Sequence, residues 1–185
     1  MSWIREVEES EAEGELKEIY QEIITSRGKL SNIMKVHSLN PEAMKAHMDL
    51  YMSIMFKSST IKRPQCEMIA VVVSAANGCS YCINHHAEAL NHYWRDDKRV
   101  ERLIQEPESV DLGEKEGAMV DYARKLTSSP DATTEDDIEN LRDAGLTDKD
   151  ILNVNLIVSY FNFVNRIALG LGVEFGAEEI KGYDY

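Results

Sequence analysis

Residues 63–86 read Arg-Pro-Gln-Cys-Glu-Met-Ile-Ala-Val-Val-Val-Ser-Ala-Ala-Asn-Gly-Cys-Ser-Tyr-Cys-Ile-Asn-His-His, and the choice of fold turns on the β-branched run Ile69 to Val73 inside it. A strand leading into Cys-x-x-Cys would point to a thioredoxin-like sheet. No second or third strand exists elsewhere in the chain to build one. The prolines at 41, 64, 107 and 130 open helices or sit in polar breaks, and none directly precedes a β-rich run, where thioredoxin keeps its cis-proline. The segment therefore reads as a helix opened by Arg63-Pro64 and closed at Asn77-Gly78, where glycine supplies a left-handed cap. A second helix follows at once, from about Cys79 to Trp94.

Working outward, the rest of the chain also reads as helices. Leu16, Ile19, Tyr20, Ile23 and Ile24 recur at helical spacing before Arg27-Gly28. A short segment from Asn32 to Ser38 precedes Asn40-Pro41, a cap followed by proline at the first helical position. That helix carries Met44, Met48, Met52 and Met55, a stripe suited to a core, a subunit interface or an apolar pocket. Helices are expected over Asp97 to Gln105, Glu114 to Thr127 and Thr134 to Ala144. Thr147-Asp148-Lys149-Asp150 resembles a capping box that opens a last helix ending near Gly170. The expectation is an all-α bundle of about eight or nine helices in a single domain, residues 1–185.

Composition narrows the function. The 185 residues carry 33 acids against 20 bases, a formal charge of −13, which disfavours nucleic acid and anionic membranes as partners. Ile151 to Val173 is interrupted by Asn153, Asn155, Asn162, Asn165 and Arg166, so no membrane span is expected. The acidic first twenty residues do not read as a secretory signal. Three cysteines without a framework of paired spacings suit a reducing, cytoplasmic setting and a catalytic or metal-binding pair.

The chemistry concentrates at Cys79, Cys82, His86 and Glu67. Two thiols at i and i+3 close a reversible disulfide within one helical turn, and a histidine four residues past Cys82 lies on the same face. An ordinary thiol is only a few per cent ionised at neutral pH. A helix N-terminus and His86 should both favour the thiolate, expected at Cys82. With the turn at Asn77-Gly78, His86 lies about 12 Å along the outgoing helix and Glu67 about 15 Å back along the incoming one. The two can face each other, and the carboxylate would then orient the imidazole. Cys82 would attack the O–O bond of a hydroperoxide and form a sulfenic acid. Cys79 would then condense with it to a disulfide, and an external dithiol would restore the pair.

The pattern Glu67-x11-Cys79-x-Tyr81-Cys82-x3-His86 resembles the active-site signature of the AhpD-like alkyl hydroperoxidases, within the carboxymuconolactone decarboxylase superfamily. The flanking residues are most similar to its peroxidase-related subgroup. The likeness is strong over about Leu30 to Leu90, within a core motif region of about 30–95, and weaker around Tyr160-Phe161-Asn162. It implies an AhpD-like helical bundle, a homo-oligomer such as a trimer or hexamer, a hydroperoxide substrate and a thiol or lipoyl-type reductant. By the family pattern Cys82 matches the sulfenic-acid-forming cysteine and Cys79 its disulfide partner, while Glu67, Tyr81 and His86 match the relay and its neighbour. The decarboxylase branch works without the cysteine pair. A redox sensor or scaffold with negligible turnover, or a decarboxylase-like lyase, are the alternatives, and no cofactor or metal is called for.

Other residues carry blander expectations. Zinc held by Cys79, Cys82 and His86, with His85, His92 or Cys66 as fourth ligand, is the rival reading of the motif. Cys66 otherwise reads as a small buried hydrophobe. His85 and His92 read as surface or packing residues, and His37 and His47 offer no constellation. Arg166 is expected to pair with an acid, because a lone buried guanidinium is costly. Tyr81 either fills the gap between the thiols or donates to the leaving oxygen.

Overall fold

A computed structural model describes residues 2–57, 60–180 and 182. Among these the chain forms ten α-helices and no strand: α1 (Gly14–Arg27), α2 (Asn32–Lys35), α3 (Pro41–Phe56), α4 (Arg63–Ala76), α5 (Ser80–Trp94), α6 (Asp97–Gln105), α7 (Glu114–Ser128), α8 (Glu135–Asp143), α9 (Asp148–Gly170) and α10 (Ala177–Ile180). The run Ile69 to Val73 lies inside α4. Its β-branched residues are helical because α4 is the central rod of the bundle, packed against α5, α7 and α9. Met68 to Val73 are buried in succession, with no solvent-facing stripe. Burial on all sides overrides the weak helix propensity of valine and isoleucine.

The capping signals act where the sequence places them. The Asn40 side chain accepts the Ala43 N–H at 3.1 Å, with Pro41 opening α3. Thr147 and Asp150 exchange hydrogen bonds at the start of α9. Between α4 and α5 the chain reverses through Gly78 at φ +66°, and the Cys79 N–H bonds back to the Ser74 carbonyl at 2.9 Å. A side chain with a Cβ would resist that left-handed backbone. This turn makes α4 and α5 an antiparallel hairpin, which brings Glu67 and His86 to the same level.

Among the described residues the buried apolar side chains form two clusters. The larger is built around α4, α5, α7 and α9. The smaller joins Ala12, Leu16, Ile19, Tyr20, Ile23, Leu30, Met34 and Met44 from the N-terminal layer. Of the methionine stripe, Met44 and Met55 are buried, while Met48 lines a cavity at the seam between the two clusters.

A partly buried amide cluster fixes the hairpin turn onto α9. Asn165, fully buried, donates to the Ser74 hydroxyl at 3.1 Å and accepts from the Asn77 amide at 3.0 Å. Asn162 accepts from the same Asn77 amide and donates to Thr127. Replacing Asn165 by alanine strands two polar partners and should cost about 2–3 kcal/mol, read as a lower denaturant midpoint at unchanged slope. Arg166 departs from expectation. It lies exposed on the outer side of α9 and donates to the carbonyl and side-chain oxygens of Asn162, so no buried charge has to be neutralised.

Candidate functional site

Cys79 is the N-cap of α5, and Cys82 stands three residues on, in the helix's first turn. Both thiols are free and almost fully buried. They lie within hydrogen-bond reach of each other. The hydrogen bond from Cys82, backed by the backbone N–H groups of Cys82 and Tyr81, draws Cys79 down to about 7 against its burial. The same bond, with burial added, pushes Cys82 well above the ordinary thiol range.

Glu67, on α4, is completely buried and lies between two cationic or basic groups. His86 Nδ1 is 2.6 Å from Glu67 Oε2, and Arg63 Nη2, one turn back on α4, is 2.5 Å from Oε1. Burial alone would raise this carboxyl; Arg63 and His86 outweigh it and hold it below its usual value. Arg63 is half-buried, and Glu67 and Tyr51 keep it firmly protonated. Its guanidinium lies 3.7 Å from the centre of the Phe56 ring and donates to the Met55 carbonyl. A carboxylate only accepts, so Nδ1 of His86 carries its proton toward Glu67 and Nε2 remains the free basic atom. The imidazole is also fixed edge-on to Phe161, ring centres 4.5 Å apart.

Cys82, His86, Glu67, Arg63 and Tyr81 all line one cavity of about 90 Å³. α9 contributes Tyr160, Phe161 and Val164, and the N-terminal layer contributes Ile23, Arg27, Met34 and Met48. Cys79 opens elsewhere, toward a separate groove bordered by Trp3, Leu169 and Phe175. The two sulfurs thus touch each other but face different openings.

Tyr81 is committed to the C-terminal segment. Its hydroxyl donates to Glu179 Oε1 at 2.7 Å and accepts the Ile33 N–H at 3.1 Å. His85 is more than a packing residue: it stacks on Tyr81, donates through Nδ1 to the Tyr81 carbonyl, and meets the Glu179 carboxylate through Nε2. Cys66, fully buried, has its thiol pushed up to about 12 by burial and is an inert core residue, as expected. Among the described residues no group of three His, Cys, Asp or Glu side chains is arranged to hold a metal ion, and the first ring nitrogen of His86 is already engaged by Glu67. No helix among them is long and apolar enough to cross a membrane.

Two features escaped the sequence reading. Arg63 stands four residues before Glu67, a spacing that places both on one helical face and was legible in principle. The other is a chain of side chains, His37, His47 and Tyr160, that ends at the cavity wall. His37 and His47 were expected to offer no constellation, but His47 hydrogen-bonds both His37 and Tyr160.

Residues 41–125 match the carboxymuconolactone decarboxylase family. An uncharacterized peroxidase-related protein from Silicibacter sp. TM1040 is 30% identical, superposes with a TM-score of 0.83, and aligns over 90% of this chain and 87% of its own. A peroxidase-related protein with the alkylhydroperoxidase AhpD core, from Ralstonia eutropha JMP134, is 25% identical with a TM-score of 0.87, over 97% of this chain and 94% of its own. The uncharacterized protein YdfG of Bacillus subtilis (strain 168) is 26% identical over 77% of this chain and 96% of its own length.

Proposed function

The chain belongs to the AhpD-like carboxymuconolactone decarboxylase superfamily, and from that premise we propose that it is a thiol-dependent peroxidase running a Cys79–Cys82 disulfide cycle. The observation that carries the reading is Cys82 lining a cavity beside an imidazole whose far nitrogen is held by a buried, ionised glutamate. The peroxidase-related names of the relatives agree with it.

In the first step His86 Nε2 takes the Cys82 proton, and the Glu67 carboxylate stabilises the imidazolium that forms. The thiolate attacks the terminal oxygen of a hydroperoxide; the S–O bond forms, the O–O bond breaks, and the leaving alkoxide recovers the proton from His86. Cys82 is now a sulfenic acid. Cys79 gives its proton to His86 and attacks the Cys82 sulfur; the S–S bond forms, the S–O bond breaks, and the displaced hydroxide takes that proton and leaves as water. An external thiol or lipoyl-type dithiol then reduces the disulfide by exchange. The bond to Cys79 and burial hold the Cys82 thiol above its ordinary range, and His86 and Glu67 have to overcome this in the first step.

A second copy of the chain is part of the proposal. Leu152, Leu156 and Phe163 lie along one face of α9, at 58%, 37% and 49% exposure, an apolar stripe suited to self-association in a homo-oligomer such as a trimer or hexamer. A reducing compartment of the cytoplasmic kind fits the free thiols.

The test is sustained consumption of cumene hydroperoxide with dihydrolipoamide or dithiothreitol as donor. Many turnovers per protein are expected. A single oxidation event without turnover would assign the pair to redox sensing instead.

A further inference from the structure

We infer that Tyr160 is a substrate-contacting residue of this site: its hydroxyl oxygen, held as an acceptor by His47 and His37, takes the O–H of the hydroperoxide and presents the terminal oxygen to Cys82. The inference rests on the thiol-peroxidase reading of the cavity and adds to it a selectivity for substrates that carry a free O–H.

His37 Nδ1 is 2.8 Å from the Ile33 carbonyl, which can only accept, so that nitrogen carries a proton. Burial lowers the basicity of His37, and Nε2 of the neutral ring is then an acceptor. His47 Nδ1, 3.2 Å from that nitrogen, must donate to it. Burial and the neighbouring His37 push His47 down to about 3, so it too is neutral at physiological pH. Its Nε2 is therefore an acceptor, and the Tyr160 hydroxyl, 2.6 Å away, donates to it. Every proton in the chain points away from the cavity, toward Ile33. The oxygen of Tyr160 keeps its lone pairs for whatever lies in the cavity it lines with Cys82.

Such an oxygen suits a hydroperoxide in one orientation. In R–O–O–H the proton sits on the terminal oxygen, which is the atom a thiolate attacks. An acceptor beside Cys82 gathers that end of the molecule, while His86, already holding the thiol's proton, faces the oxygen that leaves. The arrangement assigns separate tasks: His86 moves the proton and Tyr160 orients the bond to be broken. His47 and His37 act through Tyr160 as positioning residues. The packing supports a fixed ring, since Tyr160 meets His47, Phe161, Tyr51 and Phe163 at ring-centre distances of 5.2 to 6.5 Å.

The test compares two reactions of the same sulfur. Stopped-flow oxidation of the reduced protein by cumene hydroperoxide is measured beside alkylation of Cys82 by iodoacetamide, quantified by peptide mass spectrometry. In Tyr160→Phe the peroxide rate should fall roughly 10–100-fold, the loss of one substrate hydrogen bond in a buried site, while alkylation stays within about threefold. A merely structural role would move both rates together. His47→Met, which removes the acceptor that fixes the tyrosine proton, should lower the same ratio; His47→Gln, whose amide oxygen takes the place of Nε2, should hold it near wild type. A ratio unchanged in both Tyr160→Phe and His47→Met overturns the inference. A wild-type protein that alkylates but never oxidises overturns the peroxidase reading itself.

Discussion

Cys82→Ser should abolish peroxide-dependent oxidation of a dithiol, leaving only the uncatalysed rate. A serine hydroxyl is nearly isosteric with the thiol but does not ionise near neutral pH and does not attack an O–O bond, so no amount of correct positioning rescues it. Because Cys82 is 3% exposed and the exchange changes little volume, the variant should remain folded, and the loss will report chemistry rather than collapse. Cys79→Ser makes the matching control. It should still consume one equivalent of peroxide, stop at the Cys82 sulfenic acid, and fail to turn over. Peroxide consumption by Cys82→Ser at the wild-type rate would remove the assignment.

Glu67→Gln should lower the peroxidase rate by roughly 10²–10⁴-fold, the range of a lost general-base relay, and destabilise the fold at the same time. Glu67 is fully buried and faces both Arg63 and His86. A neutral amide of the same shape can accept from one of them but turns an N–H toward the other. Arg63 is then a half-buried guanidinium without its counter-charge. Its contacts with Phe56, Tyr51 and the Met55 carbonyl soften the penalty, which should come to about 3 kcal/mol. The pH dependence follows from the direction of the carboxyl's shift. A group held below its ordinary value contributes fully above about pH 4.5, and the contribution fades as pH falls through the folded-state value. Wild type and variant should therefore differ in stability at pH 7 and converge in acid. A constant difference across that range would contradict the charge-pair account.

Much of this architecture was legible because local chemistry and global packing agree. Asn40-Pro41, Asn77-Gly78 and the Thr147 to Asp150 box mark helix ends by satisfying backbone groups nearby, so sequence alone places them well. The Glu67–His86 contact was legible for a related reason: once the turn is fixed at Gly78, helical rise puts the two at one level. Ile69 to Val73 is the instructive ambiguity, since β-branched residues in a rod buried on all sides carry no periodicity to betray a helix.

The remaining features depend on residues far apart in the chain. His47 and Tyr160 are separated by 113 positions, and Glu179 reaches back to Tyr81 and His85 through a four-residue helix that no periodic pattern announces. Arg166 was expected to need an acid because its neighbours are apolar; it points outward from α9, a matter of helix rotation rather than composition. Which cysteine takes the cap of α5 was equally hidden. Either cysteine of the pair benefits from a helix start, and only the backbone shows that Cys79 occupies the cap.

The central claim is that one hydroperoxide converts the two thiols at the head of α5 into a disulfide. Peptide mass spectrometry of the reduced protein after one equivalent of cumene hydroperoxide, with and without prior thiol blocking, tests it most directly. The account predicts that the peptide containing Cys79 and Cys82 loses two hydrogens and becomes resistant to alkylation, that dithiothreitol restores both, and that Cys66 is unchanged. Both thiols remaining free to alkylation after peroxide treatment would contradict it.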